Sequence, residues 1–168
     1  MAVAFFDTSA LKHRYIGGVY SSKISRVVGR HQNRTYVADL TILEMPSALG
    51  GHCRAARLGA KEYDLLDRRF LSDIADGRII VRQTNRINVL RARNLLRLAG
   101  IVKGRNLGSA DALIATCALD LAHDLKVRIV FYTGDWTLYT VLREIDAYTA
   151  AMTLQYVLPA KHGLPART

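Results

Sequence analysis

The sequence predicts a single α/β domain built around a mainly parallel central sheet. Short apolar runs of strand length alternate with longer segments of helical periodicity along the chain, which is typical of repeated β–α units. The first run, residues 3–6, is apolar at every position, as expected of a strand that helices cover on both faces. The length of 168 residues and the hydrophobic share of 50% suit one domain with a substantial core.

The boundaries of the elements follow from periodicity and from turn residues. Strands are predicted at residues 3–6, 35–38, 79–81, 127–132 and 153–157. Helices are predicted at residues 9–15, 19–30, 39–56, 59–75, 85–100, 109–125 and 137–145. Ser9 and Ser109 are expected to cap their helices, and Pro46 predicts a late start or a kink near Glu44. We assign residues 1–158 to the domain and residues 159–168 to a basic, frayed tail.

The charge balance restricts the class of partner. There are 24 Lys and Arg residues against 14 Asp and Glu residues, a formal net charge of +10. Such an excess favours a polyanion, either nucleic acid or an anionic membrane surface, although it also serves solubility. No apolar run approaches the roughly 20 residues that span a bilayer, and no signal peptide is recognisable. Cys53 and Cys117 have no metal-binding spacing, so we expect reduced thiols and a cytoplasmic location.

Four acidic residues stand in unusual places. Asp7 ends the first strand, and Asp135 follows the most apolar strand after one glycine. Glu44 interrupts the apolar stripe of its helix, and Asp111 lies in the first turn of a helix that is apolar nearly all round. In parallel sheets, sites form at the carboxyl ends of the strands. Ser9 and Thr133 are the hydroxyl neighbours of this edge.

Each acid also has a purely structural interpretation. Glu44 fits a capping box that begins at Thr41, and Asp111 fits the favourable end of a helix dipole. Asp135 fits an N-cap, and Asp7 fits a turn. Taken together, however, converging carboxylates would repel one another. No Lys or Arg adjoins Asp7, Glu44 or Asp111 in the sequence. A hard divalent cation such as Mg²⁺ or Mn²⁺ would stabilise the set, and it suits phosphodiester chemistry.

The four acidic segments resemble those of the PIN-domain nucleases. They are Phe6-Asp7-Thr8-Ser9-Ala10-Leu11, Glu44 in Leu-Thr-Ile-Leu-Glu-Met, Ser109-Ala110-Asp111-Ala112-Leu113-Ile114-Ala115, and Tyr132-Thr133-Gly134-Asp135. Their order and approximate spacing are similar to those of the VapC-like toxins of prokaryotic toxin–antitoxin pairs. Two features depart from the pattern: Pro46 follows Glu44 closely, and residues 15–34 form a long connection.

The resemblance implies a PIN-like α/β/α sandwich and a Mg²⁺- or Mn²⁺-dependent endoribonuclease. It implies that Asp7, Glu44, Asp111 and Asp135 hold the metal, with Ser9 and Thr133 beside them. The expected products carry a 5′-phosphate and a 3′-hydroxyl. It further implies an RNA substrate, a cognate antitoxin and a homodimer.

Candidate RNA contacts come from the basic and aromatic residues. Phosphate contacts are expected from Arg86, Arg93 and Arg97, which share a helical stripe, and from the basic loop with Lys103 and Arg105. A solvated helix face explains each of these equally well. Base stacking by Tyr132, Trp136 or Tyr139 is possible, although core or rim positions are more common. His13 and His31 are potential general acids, but surface positions are the better prediction.

Three other function classes are alternatives to a metal-dependent nuclease. A degenerate PIN-like scaffold would bind RNA or a protein without cleaving it, and the presence of all four acids argues against it. A phosphatase of the haloacid-dehalogenase type expects a second acid at position 9, where this chain has Ser9. A response-regulator receiver expects an acidic pair after its first strand, which is absent. DNA stays open as a substrate because phosphate contacts carry no sequence information.

Overall fold

A computed structural model describes residues 2–30, 33–102 and 104–158. Within them, five strands form one parallel sheet in the order β3-β2-β1-β4-β5. The strands are β1 (Val3–Phe6), β2 (Arg34–Ala38), β3 (Ile80–Arg82), β4 (Ile129–Thr133) and β5 (Met152–Tyr156). The predicted α/β class is therefore confirmed, and the sheet is parallel throughout its described length. The predicted tail, residues 159–168, lies outside the described residues.

Helices cover both faces of the sheet. They are α1 (Thr8–Leu11), α2 (His13–Ile16), α3 (Ser21–Val28), α4 (Leu40–Ala56), α5 (Ala60–Ala75), α6 (Arg86–Arg97), α7 (Ser109–Leu125), α8 (Trp136–Arg143) and α9 (Asp146–Ala151), with a π-helical turn at Leu98–Val102. None of the described helices has the length and apolarity needed to cross a membrane. The helix α9 was not predicted, because six residues are too few to show a helical period.

Alternation along β1 divides the core into two layers. Val3 and Phe5 face a cluster with residues from α6, α7 and α8. Ala4 and Phe6 face a second cluster with residues from α1 to α5. All four are buried, since successive side chains of a strand point to opposite faces of a sheet that is covered on both sides. This α/β/α layering leaves the carboxyl end of β1 open between the helical layers.

Two predicted helix caps were wrong, and of the two outcomes predicted from Pro46 the late start does not occur. Ser9 lies inside α1, whose N-cap is Asp7, and Ser109 is the first residue of α7 after its N-cap Gly108. The late start predicted from Pro46 does not occur, because α4 begins at Leu40 and runs unbroken through Ala56. The cost of proline inside this helix is offset by tertiary packing, since Met45 beside it is fully buried.

Candidate active site

The four predicted acids meet at the carboxyl edge of the sheet. Asp7 follows the central strand β1, and Asp135 lies just past the adjacent strand β4. Glu44 comes from the second turn of α4 and Asp111 from the first turn of α7. Asp7, Glu44 and Asp111 line one open cavity of about 310 Å³. The charge of Asp135 acts on both Asp7 and Asp111, so it belongs to the same cluster.

Asp7 is the most constrained of the four. Its side chain is only 1% exposed, and its Oδ2 atom accepts hydrogen bonds from Ser9 Oγ and, at 2.8 Å, from Thr133 Oγ1. Each hydroxyl in turn accepts a backbone N–H, from Gly134 at 2.8 Å and from Asp135 at 2.9 Å respectively. Because a hydroxyl has only one proton to give, these backbone donors direct both hydroxyl protons to Asp7.

Gly134 permits this arrangement. A Cβ atom at position 134 would lie 3.0 Å from the backbone oxygen of Ser9 and 3.3 Å from its Oγ. A side chain there would push Ser9 away from Asp7. Glycine at position 134 therefore allows the end of β4 to lie in close contact with helix α1.

Glu44 does not form the capping box that its sequence allows. The N-cap of α4 is Asp39, which accepts the Leu40 N–H at 2.9 Å. Glu44 is half-buried, and its Oε2 atom accepts a 2.6 Å hydrogen bond from Thr8 Oγ1. The structural interpretation of Glu44 is therefore wrong, and the carboxylate faces the acidic cavity.

Asp111 and Asp135 combine a structural role with membership of the cluster. Asp135 caps α8, since its Oδ1 atom accepts the Leu138 N–H at 2.7 Å. Asp111 lies in the first turn of α7, as its structural interpretation requires, and a Cβ atom at Gly108 would come within 2.6 Å of its Oδ2. One oxygen of a carboxylate can interact with the start of a helix while the other faces the cluster, so the two roles are compatible.

The electrostatics of the cluster favour a cation. Burial, followed by the charges of Asp7, Asp135 and Glu44, raises the pKa of Asp111 to about 7. Burial also raises the pKa of Asp7 and of Glu44, against hydrogen bonds that lower it. Unpaired carboxylates in this setting bind protons unless another positive charge approaches. The site therefore has the electrostatic character of a cation site.

The donor chemistry suits a hard divalent ion, because all four groups offer carboxylate oxygens. Within the part of the chain that the structure describes, no three His, Cys, Asp or Glu side chains are close enough together to hold a metal as they stand. Asp7 and Glu44 already accept hydrogen bonds from hydroxyl groups in the site, and Asp135 caps α8. The residue types fit Mg²⁺ or Mn²⁺, and the assignment of the four acids as ligands stays a prediction.

Sequence reasoning missed four residues of the cavity wall. The cavity is also lined by Thr8, Lys12, Ser47 and Ala48. Lys12 is not adjacent to any of the acids in the sequence, but the fold brings it to the wall of their cavity. Its signal was available, because Thr8 and Lys12 are four residues apart and share one face of a helical segment. One ammonium does not balance the cluster, since the pKa of Asp111 is raised even with Lys12 in the wall.

The predicted RNA contacts lie apart from the acidic cavity. Arg86, Arg93 and Arg97 are exposed on α6, so a solvated face and a phosphate-binding stripe both remain compatible with them. Arg105 instead donates to Thr140 Oγ1 at 2.8 Å and pairs with Glu144 at 3.3 Å, which ties the loop to α8. Lys103 and His31 lie outside the described residues.

The aromatic residues separate into core and edge. Tyr132 stacks on Phe6 with ring centroids 4.5 Å apart, so it belongs to the core. Trp136, Tyr139 and Tyr156 form a half-buried cluster with centroids 5.2–5.6 Å apart. Trp136 of this aromatic cluster directly follows Asp135 in the sequence. His13 is also half-buried rather than on the surface, and within the described residues its Nε2 atom has no hydrogen-bond partner.

Comparison with known proteins identifies the fold. No protein-family signature and no curated protein matches the sequence. A chain of VapBC2 from Rickettsia felis, bound to a DNA fragment from its promoter, superposes with a TM-score of 0.59 at 14% identity, over 92% of this chain and 98% of that chain. The protein has a VapC-like PIN-domain fold. A chain of FitAB bound to an IR36 DNA fragment agrees, with a TM-score of 0.59 at 17% identity over 95% of this chain and 99% of that chain.

The PIN fold confirms the resemblance drawn from the four acidic segments and the predicted α/β/α sandwich. At these identities the likeness concerns the path of the backbone. The chemistry of this VapC-like PIN fold depends on the side chains of the chain itself.

Proposed function

We propose that the protein is a Mg²⁺- or Mn²⁺-dependent endoribonuclease and the toxin of a toxin–antitoxin pair. The observation that carries the proposal is the convergence of Asp7, Glu44, Asp111 and Asp135 at one edge of a PIN-fold sheet. The raised pKa values of Asp7, Glu44 and Asp111 indicate a cluster that a cation would stabilise. The net charge of +10 supports a polyanionic substrate.

The acids would hold the metal, and the hydroxyls would hold the acids. Ser9 and Thr133 keep the Asp7 carboxylate in one orientation, as supporting hydrogen bonds commonly do for metal ligands. The chemistry that Mg²⁺ or Mn²⁺ supplies when bound is polarisation of the phosphodiester and of the attacking water. Lys12 in the cavity wall would face negative charge that develops on phosphoryl oxygens.

RNA would approach over the surface next to Asp135. The aromatic cluster of Trp136, Tyr139 and Tyr156 is partly exposed there and offers rings for base stacking. The exposed arginines of α6 would contribute phosphate contacts. RNA is preferred to DNA because the PIN resemblance implies a ribonuclease.

A protein partner is part of the proposal. Both similar structures are two-component assemblies, VapBC2 and FitAB, each bound to DNA. By analogy, a cognate antitoxin would bind this chain and inhibit it. Self-association into a homodimer stays a prediction of the resemblance.

The test is cleavage of a labelled panel of tRNA, rRNA and mRNA fragments with Mg²⁺ or Mn²⁺, with and without EDTA. Asp7→Asn is the test variant, and Asp64→Asn, an exposed acid on α5, is the matched control. We expect metal-dependent cleavage that Asp7→Asn loses and Asp64→Asn keeps. RNA binding without metal binding or cleavage would instead favour the degenerate scaffold.

A further inference from the structure

A second cavity, of about 440 Å³, lies between α2 and α5 and shares no lining residue with the acidic cavity. Its lining is dominated by guanidinium groups. They belong to Arg14, Arg68, Arg69 and Arg78, and the other lining residues are Tyr15, Leu65, Ser72 and Asp73. We refer to it as the arginine cavity. None of the arginines in it was a candidate RNA contact in the sequence.

Asp73 fixes two of these arginines. Its side chain is 5% exposed, and its Oδ2 atom accepts hydrogen bonds from Arg14 Nε at 2.5 Å and from the Tyr15 hydroxyl at 3.0 Å. Its Oδ1 atom accepts from Arg14 Nη2 at 3.0 Å and from Arg78 Nη1 at 2.9 Å. A carboxylate accepts about four such bonds, so Asp73 is saturated and both guanidiniums are held in place.

The cavity keeps a surplus of positive charge. Asp73 is the one carboxylate in its lining, against four arginines. Arg78 has a second partner, Asp76, at 3.0 Å. Arg68 and Arg69 are exposed, and neither forms an ion pair with any residue that the structure describes. Two guanidiniums without an ion pair among the described residues therefore share one concavity with two guanidiniums that Asp73 holds in place.

The chemistry of the lining selects the ligand. Guanidinium forks match the oxygens of phosphate and donate two hydrogen bonds at a time. Several arginines around one small space suit a single group with more than one negative charge, whereas the carboxylates of an acidic peptide are spread along its chain. The volume lies within the range of small-ligand sites, and Leu65 and Tyr15 give it an apolar wall.

We propose that the arginine cavity binds a phosphate group, supplied either by a free nucleotide or by the backbone of RNA. The site is separate from the acidic cavity and needs no metal. A phosphate there would join α2 to α5 through Arg14 on one side and through Arg68 and Arg69 on the other.

The experiment is isothermal titration of the full chain in EDTA, with inorganic phosphate, a nucleoside diphosphate, a short single-stranded RNA and an Asp/Glu-rich peptide as probes. The test variant is Arg68→Gln/Arg69→Gln, which breaks no ion pair of the described structure. The matched control is Lys23→Gln/Arg26→Gln on α3, which removes the same charge from exposed positions. EDTA separates the result from cleavage, and Asp7→Asn should bind phosphate as the wild type does.

We expect saturable phosphate or nucleotide binding that weakens about tenfold or more in the test variant and stays within about twofold in the control. Arg68→Lys/Arg69→Lys should recover only part of the affinity, because lysine lacks the fork. Tighter binding of the diphosphate identifies a free nucleotide as the source, and tighter binding of RNA identifies the backbone. No saturable binding of any phosphate probe, equal weakening in the control, or preference for an Asp/Glu-rich peptide would overturn the proposal.

Discussion

Thr133 donates a 2.8 Å hydrogen bond to Asp7 across 126 residues of chain. The bond joins the ends of β4 and β1, which are neighbours in the sheet. Thr133 is fully buried and also accepts the backbone N–H of Asp135 at 2.9 Å. One hydroxyl thus sets the positions of two acids of the cluster.

Removing the Thr133 hydroxyl tests whether it positions the Asp7 carboxylate, separately from its contribution to folding. Thr133→Val keeps the shape of the side chain but leaves the Asp135 N–H and the Asp7 carboxylate without their partner. We expect cleavage to fall about 10- to 100-fold and stability to fall by about 1–3 kcal/mol. Thr133→Ser restores the hydroxyl and should recover most of the activity. The measurement is kcat at saturating RNA together with urea denaturation, and equal activity of the Val and Ser variants would exclude the positioning role.

The raised pKa of Asp111 predicts how stability depends on pH. The folded protein holds a proton on Asp111 up to about pH 7, whereas the ordinary value is 3.8. The stabilisation from this group is therefore complete below the unfolded pKa and is lost as pH rises through about 7. Asp111→Asn should stabilise the metal-free protein at pH 8 by about 1–2 kcal/mol, after allowance for solvent screening, and have no such effect at pH 4.

Urea denaturation in EDTA at the two pH values measures this effect. Asp64→Asn, an exposed acid on α5, is the control and should leave the pH dependence unchanged. A variant at position 111 that is destabilised equally at both pH values would show that Asp111 contributes only its favourable interaction with the dipole of α7.

If the arginine stripe of α6 contacts phosphates, it contributes to the salt dependence of RNA affinity. Arg93→Glu should weaken RNA binding and reduce the slope of log affinity against log salt by about 1 or more, since each phosphate contact contributes about one unit. Binding is measured by fluorescence anisotropy in EDTA. Lys23→Glu on the exposed face of α3 carries the same charge change and should leave the slope as it is. An unchanged slope in Arg93→Glu would assign α6 to a solvated surface.

Trp136 is a built-in reporter, because it is the single tryptophan of the chain. If RNA bases stack on the aromatic cluster, binding should quench its fluorescence. Trp136→Ala should weaken RNA affinity by about 1–3 kcal/mol, while Trp136→Phe should retain most of it. Unaltered emission at saturating RNA, with binding confirmed by anisotropy, would place the RNA elsewhere.

Local patterns were sufficient to predict the strands and the four acids. The apolar run of residues 3–6 and the acid after it follow directly from strand burial, and α7 has the bounds predicted from its apolar periodicity. Glu44 was identified because a carboxylate on the apolar stripe of a helix is costly to bury unless it has a partner. These features depend on residues that are close together in the chain, so they can be recognised from one sequence.

Contacts between distant segments were not predictable in the same way. Ser9 was expected both to cap a helix and to lie beside the acids, and its contacts with Asp7 and with the Gly134 N–H agree with the second expectation only. The contacts of Arg105 with Thr140 and Glu144 were not expected, and phosphate binding by Arg105 stays a prediction. Such pairings depend on how helices pack against the sheet, which no local propensity specifies. The arginine cavity likewise exists only because α2 packs beside α5.

The central claim is that the acidic cluster is a divalent-cation site, and Mn²⁺ binding followed by electron paramagnetic resonance tests it most directly. Wild-type protein, Asp7→Asn and the control Asp64→Asn are titrated at pH 8, where Asp111 is ionised. The account predicts saturable Mn²⁺ binding that Asp64→Asn keeps, that Asp7→Asn weakens by about 10- to 100-fold, and that Mg²⁺ displaces. Mn²⁺ binding of equal strength in folded Asp7→Asn, or none in the wild type, would contradict it.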